Sequence, residues 1–465
     1  MNQLKGDSAP ESGPSISKRL YKERIAEFAA RMLPQSFAVI VSNPERTRSN
    51  DTQYQYRQSS DILYLNGFPE PECALVVSNF KGKAKLSMFV RAKDSSREQW
   101  TGIRGGVEGA KKLYLADQAF NIDQFELQLK KLVAIADHVY YNFSRNQDFD
   151  RSFNNAWRST LKPLLNPEAI LHEMRLFKDE EEVAMLRRAG EVSTAAHRAA
   201  MQRCQPGLKE FQIQATLEYV FRNNGAMAPA YGSIVATGAN AWVLHYVSNQ
   251  DTIKDGDLVL IDAAAEYNGY ACDITRTFPA NGKFTKAQRE IYELVLKSQT
   301  AALAVAKPGS SLNRVHATAA GVLRRGLVKL GILPKEMRSQ RGTLEQFKTA
   351  KQSGAEKDLV TLSTFFPHGT SHWMGLDVHD VGNSFSRPGK GRNRKLVPGM
   401  VFTVEPGFYV LHDDAHVPAK YRGIGVRIED DVHITPEGNE VLTGEVPKEI
   451  DEMCALVGSK PWIAI

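Results

Sequence analysis

Cysteine is scarce: Cys73, Cys204, Cys272 and Cys454 are the four in a chain of 465 residues. None forms a CxxC pair, which excludes a disulfide framework and a thiolate zinc site and fits a reducing compartment. Long apolar runs are also missing, and nothing approaches the eighteen or so uncharged residues that a membrane span needs. The opening stretch MNQLKGDSAPESGPSIS lacks the apolar core of a secretory leader. A cytoplasmic protein with no membrane partner is expected. Basic residues are not gathered into runs, and a formal net charge of +6 spread along the chain leaves no footprint for nucleic acid.

With 42% hydrophobic and 24% charged residues, the composition is that of a soluble globular protein. Its length exceeds what one core sustains, so two domains are expected. Residues 1–15, rich in Ser, Pro and Gly, are expected to be disordered. Residues 16–173 combine a helical stretch, SKRLYKERIAEFAARML, with strand-like runs FAVIVSN, ILYLNGF, CALVVSN and KLSMFVRA. From 174 to 450 the order is two helices, a hairpin, two helices and returning strands, which hints at two similar halves; 451–465 form a tail. The class is α/β (α+β), a smaller mixed domain followed by a larger one.

Chemistry concentrates in the larger part. VLIDAAAEYNGYACDITRTF, residues 259–278, reads as a hairpin turning at Asn268-Gly269. A two-residue turn there sets Tyr267 opposite Tyr270 and Asp262 opposite Thr275. Asp273 then becomes the diagonal same-face neighbour of Asp262, with Cβ atoms about 7 to 8 Å apart. Two carboxylates in such apolar company repel unless a proton or a cation intervenes. The alternative is a solvent-facing edge hairpin.

Further ligands come from the carboxy-terminal strands. GMVFTVEPGFY ends an apolar run on Glu405, and in GIGVRIEDDVHI alternation puts Arg427 and Glu429 on one side. His368, His372 and His379 fall in PHGTSHWMGLDVHD, where Pro367, Gly369 and Gly375 argue against a helical zinc motif. Asp262, Asp273, His372, Glu405 and Glu429 make a set of four carboxylates and one imidazole. Such an oxygen-rich set favours two Mn²⁺, with Co²⁺, Fe²⁺ or Zn²⁺ as alternatives. Four negative charges balance two dications, and Arg427 can offset a bridging hydroxide.

At these residues the sequence resembles the metallopeptidases of the pita-bread fold, most closely the aminopeptidase P (Xaa-Pro aminopeptidase) group. The resemblance runs from TRSNDTQYQYRQSSDILYLNGFPEPECALVV through HEMRLFK, LVLIDAAAEYNGYACDITRTFP, HGTSHWMGLDVHDVG and PGMVFTVEPGFY to YRGIGVRIEDDV. A departure is the stretch 335–358, longer than usual before FFPHG. The resemblance implies an amino-terminal domain for oligomerisation and a catalytic pita-bread domain. It implies Asp262 as ligand of one metal, Asp273 and Glu429 as bridging ligands, and His372 and Glu405 as ligands of the other. His245, His379, Glu405 and Arg427 match catalytic positions; His368 and Tyr409 match positions lining the substrate site. Trp100 matches a residue that reaches a neighbouring subunit's site in tetrameric relatives. The implied reaction is hydrolysis of the first residue from peptides with proline second, by hydroxide held between two metals, in a homotetramer or homodimer. A prolidase of the same fold, or a binding protein that has lost catalysis, are the rivals.

Overall fold

The computed structural model describes residues 13–353, 360–384 and 393–460. Two compact units result, Ser15–Arg175 and the chain from Leu176 onward, the latter joined by residues 13–14. Most of the segment expected to be disordered lies outside the described residues; at its end Pro14 O accepts a hydrogen bond from Asn268 Nδ2 at 3.3 Å.

In the first unit a six-stranded sheet runs in the order Gln118–Asn121, Lys83–Val90, Ala74–Phe80, Ser36–Val41, His138–Tyr140, Leu164–Leu165. The inner three strands are antiparallel, with a short hairpin joining Ala74–Phe80 to Lys83–Val90, and the outer ones parallel. Phe37, Val39 and Val41 pack with Phe125, Leu129, Phe149 and Phe153 of two helices. ILYLNGF, expected as a strand, is instead the helix Ser60–Asn66. Gly67 ends it at φ 69°, its amide donating to the carbonyls of Ile62 and Leu63, a left-handed stop that overrides the strand-like run. Periodicity cannot separate short apolar helices from strands.

The second unit begins with the helix Glu180–Arg203, closed by a capping box between Asp179 and Glu182. It packs on Glu210–Asn223, and an antiparallel trio follows: Ile234–Thr237, Leu258–Asp262, Thr275–Pro279. A second helix pair, Lys286–Val305 and Leu312–Lys329, precedes another trio, Val401–Val404, Asp430–Ile434, Asn439–Val441. The order of elements thus occurs twice. Within 335–358 lie a 3-10 turn, Lys335–Arg338, and a helix, Gln340–Ser353; 354–358 fall outside the described residues. No helix among the described residues is long and apolar enough to cross a membrane.

Along one seam the first trio meets residues 425–429, whose strand Gly425–Arg427 pairs with Gly407–Tyr409. Glu429 N donates to Thr275 O at 3.0 Å, and Thr277 Oγ1 donates to Arg427 O at 3.0 Å. Beneath it lies a buried ion pair, Arg276 Nη2 to Asp430 Oδ1 at 2.7 Å, joined by Lys448 Nζ at 2.6 Å from Asp430 Oδ2. Arg276 also donates to the carbonyls of Thr275, Glu429, Val446 and Pro447, so its guanidinium is saturated. Breaking such a pair by removing one partner typically destabilises by about 3–5 kcal/mol. The fold therefore fixes from below the strands that follow Asp273 and Glu429, Thr275–Pro279 and Asp430–Ile434.

Behind the hairpin, His197 is fully buried, with Nε2 at 2.8 Å from Ala263 O and Nδ1 without a partner. Burial pushes its pKa down to about 4. Between the unfolded value near 6.5 and this folded value, the unfolded chain binds the extra proton, so stability falls as pH falls through that window. The loss approaches ~3 kcal/mol below pH 4. In urea titrations of metal-free protein, His197→Gln, which keeps a donor for Ala263 and cannot titrate, should show a shallower decline from pH 6.5 to 4. Parallel declines in the two proteins would contradict this.

Candidate metal centre

Asn268 and Gly269 take φ of 49° and 87°, the left-handed pair that a two-residue hairpin turn requires. Tyr267 faces Tyr270 and Asp262 faces Thr275, so the expected register holds at both ends. Between them Ala263 N donates to Ile274 O at 3.1 Å. Asp262 and Asp273 converge: Oδ1 of each lies 2.6 Å from the hydroxyl of Tyr231. A tyrosine hydroxyl carries one proton, so only one of these contacts is satisfied by it.

The chain 370–374 lies extended against Val401–Val404, with Thr403 N donating to His372 O and Glu405 N to Thr370 O. This pairing sets His372 beside Glu405. Its Nδ1 lies 3.1 Å from Trp373 O and therefore carries the proton, leaving Nε2 facing Asp273 Oδ2 at 3.3 Å and Glu405 Oε1 at 3.7 Å. Gly407 makes room for the side chain two residues on: a Cβ there would meet the Tyr409 hydroxyl at 2.3 Å. Tyr409 OH contacts His368 Nε2 at 2.8 Å and accepts from Arg427 Nη1 at 3.0 Å. His368 Nδ1 lies 3.3 Å from Glu405 Oε2.

Arg427 links this wall to the hairpin, with Nη2 at 2.6 Å from Asp262 Oδ2 and Nε donating to Thr275 Oγ1 at 2.9 Å. Thr275 in turn donates to Glu429 Oε2 at 2.6 Å. The result is a cavity of about 180 Å³ lined by Asp262, Asp273, His372, Glu405 and Glu429 together with His245, His368, His379, Arg427 and Leu244. The His379 ring meets that of His372 edge-on at 4.3 Å. Trp100 is elsewhere, 87% exposed on the helix Ser95–Thr101 of the amino-terminal unit, and is not among the lining residues. Tyr231 and Thr275 were not singled out in the sequence. Thr275 had a signal, since it faces Asp262 and shares a side with Asp273; Tyr231, in a glycine-rich stretch, had none.

Four carboxylates face one guanidinium here. Burial pushes Asp273 up to about 6, with Asp262 adding to it against the opposing pull of His372 and Tyr231. Burial likewise raises Glu429 well above the carboxylate range, and Asp273, Glu405 and Asp262 reinforce this. Burial alone would lower His372, but Asp273 and Glu405 outweigh it and hold it at about 9. This is a site short of positive charge. Ligand atoms of Asp273, His372 and Glu429 all lie within 4.8 Å of one another. Hard oxygen donors, one imidazole with its second nitrogen tied back and no thiolate fit divalent cations.

A second such group, Asp61, Glu168 and His172, occurs in the amino-terminal unit. Arg175 lies 2.9 Å from Asp61 and Arg145 pairs with Glu168, so these carboxylates already have counter-charges.

Residues 184–436 match the model of metallopeptidase family M24, and residues 21–140 match that of the aminopeptidase P N-terminal domain. The Xaa-Pro aminopeptidase of Escherichia coli is 42% identical over 456 residues, covering 95% of this chain and 98% of that protein. Human Xaa-Pro aminopeptidase 3 is 35% identical, covering 89% and 79%. The solved structure of Pseudomonas aeruginosa aminopeptidase PepP superposes with a TM-score of 0.86 at 44% identity, over 95% of this chain and 98% of that one. With its acidic centre held between two strand trios, the chain belongs to metallopeptidase family M24, in the pita-bread fold, with an aminopeptidase P amino-terminal domain ahead of it.

Proposed function

We propose that this chain is a metal-dependent aminopeptidase hydrolysing the bond between a peptide's first residue and a following proline. The observation that carries the proposal is the convergence of Asp262, Asp273, His372, Glu405 and Glu429 on one small cavity. We assign Asp262 to one metal, Asp273 and Glu429 to both, and His372 and Glu405 to the other. Mn²⁺ is the proposed occupant because the donors are mainly carboxylate oxygens. When bound, a cation pair supplies water of lowered pKa as nucleophile and polarises the scissile carbonyl.

The chain's own groups do the rest. Burial works to raise Glu405, but His368, His372 and Arg427 outweigh it and hold the carboxyl below its usual range. Glu405 is thus ionised, and its place in the cavity beside His372 assigns it to accept a proton from the attacking water and return it to the leaving proline nitrogen. His379 donates to the oxygen of the scissile carbonyl as it becomes tetrahedral, and His245 orients the substrate. Arg427, Tyr409 and His368 form one hydrogen-bonded series that fixes the wall next to Glu405. Tyr231 holds Asp262 and Asp273 at a set separation and acts as a positioning residue.

Residues 16–173 are proposed as the oligomerisation domain of a homotetramer or homodimer, with exposed Trp100 completing a neighbouring subunit's site, and 174–450 as the catalytic domain. Free cysteines, three of them buried, support a cytoplasmic location.

Metal analysis of the purified protein, coupled to assays on Ala-Pro-Ala and Ala-Pro, tests the proposal. Chelation should abolish cleavage of Ala-Pro-Ala, and Mn²⁺ should restore it. Undiminished cleavage by metal-stripped protein would refute the mechanism, and a preference for Ala-Pro would make the enzyme a prolidase.

A further inference from the structure

Away from the metal centre, the helices Lys286–Val305 and Leu312–Lys329 and the 3-10 turn Lys335–Arg338 enclose a groove of about 640 Å³. Five cations line it: Lys297 from the first helix, Arg325 and Lys329 from the second, Lys335 and Arg338 from the turn. All five are exposed, and among the described residues none makes an ion pair or a side-chain hydrogen bond. Among the described residues no acidic side chain lines the groove. Glu293, one turn before Lys297, is paired with Arg289 at 2.8 Å, and Glu336 is not a lining residue. None of the groove's residues lines the metal cavity.

The floor is apolar and firmly built. Leu294, Val322 and Val328 form it, and the helices cross so closely that a Cβ on Gly326 would meet Leu294 Cδ1 at 2.2 Å. Ser298 Oγ ties the same two helices by donating to Ala319 O at 3.0 Å. Five like charges around one concavity create a positive field that attracts a compact anion.

We propose that this groove binds a polyphosphorylated small molecule of the nucleoside triphosphate class. Volume and charge density favour that occupant. A groove of 640 Å³ is of small-molecule size. A triphosphate concentrates several negative charges in one short chain, whereas an acidic peptide spreads one carboxylate per residue along about 3.3 Å of backbone. Arginine forks and lysine ammonium groups both match phosphate oxygens. Among the described residues the lining holds no aromatic side chain for a base to stack on, so recognition is assigned to the phosphates, and ATP and GTP should bind alike.

The test uses the full-length Mn²⁺-loaded enzyme with excess Mg²⁺ at physiological salt, titrated calorimetrically with ATP, GTP and inorganic triphosphate. The double variant Arg325→Glu/Lys329→Glu is the comparison. Both positions are exposed and outside the catalytic cavity, so the variant should match the parent in thermal midpoint and peptidase activity without nucleotide. Saturable ATP binding in the parent, displaced by triphosphate and weakened by about tenfold or more for each charge reversed, is the expected result. Equal binding by parent and variant overturns the proposal, because it reports metal chelation or a different surface. Absence of saturable binding overturns it too, as does tighter binding of oligoglutamate than of ATP.

Discussion

Asp273→Ala is expected to lose both bound metal and peptide hydrolysis while remaining folded. Asp273 is the carboxylate on which the centre turns: Oδ2 faces His372 Nε2 at 3.3 Å, Oδ1 contacts Tyr231, and its ligand atom lies within 4.8 Å of that of Glu429. Its deletion removes the group assigned to both cations and one of the four negative charges. Activity should fall to the level of uncatalysed background, and Mn²⁺ should not restore it. A stability measurement separates this from simple unfolding. Without metal, burial raises the Asp273 pKa to about 6, above its unfolded value, so the ionised carboxylate destabilises the fold as pH rises through that range. At neutral pH the metal-free variant should therefore resist urea at least as well as metal-free parent. Excess Mn²⁺ should reverse the order, because ligand at a hundredfold over Kd stabilises only the parent, by ~2.7 kcal/mol. Retained metal and activity in Asp273→Ala would dismantle the proposed centre.

How much of this was legible in the sequence depends on the range of the interactions involved. The hairpin register was, because Asn268-Gly269 fixes a two-residue turn and period-two alternation carries the pairing to Asp262 and Thr275. The carboxylates that line the cavity were legible as a set from their apolar surroundings. That Glu405 and His372 share a wall was not, since it follows from the extended pairing of 370–374 with 401–404, a contact no local pattern announces. Tyr231 was hidden for the same reason: its hydroxyl reaches the aspartates across tertiary space. The segment Ser60–Asn66 failed in the opposite way, where a local apolar run suggested a strand and the stop at Gly67 decided for a helix. Trp100 is exposed on a helix with no buried residue, so nothing within one chain assigns it a role.

His379→Ala should leave metal content and KM close to those of the parent while lowering kcat by about 10²–10³, the usual effect of removing one oxyanion donor. The ring lines the cavity and touches His372 only by its edge, at 4.3 Å between centroids, and it is not one of the five assigned ligands. Loss of the ring therefore leaves the ligand set whole and takes away a donor used only as charge develops on the carbonyl oxygen. A purely packing role for His379 predicts something else: His372 would loosen, metal content would fall, and His379→Phe would restore function by refilling the space. A donor role predicts the reverse, with no rescue by phenylalanine and partial rescue by glutamine, whose amide can still reach toward the oxygen. Metal stoichiometry and kcat measured across the three variants distinguish the two. Near-normal turnover in His379→Ala would move the donor role to His245, the remaining lining imidazole that makes no assigned contact with the metal ligands.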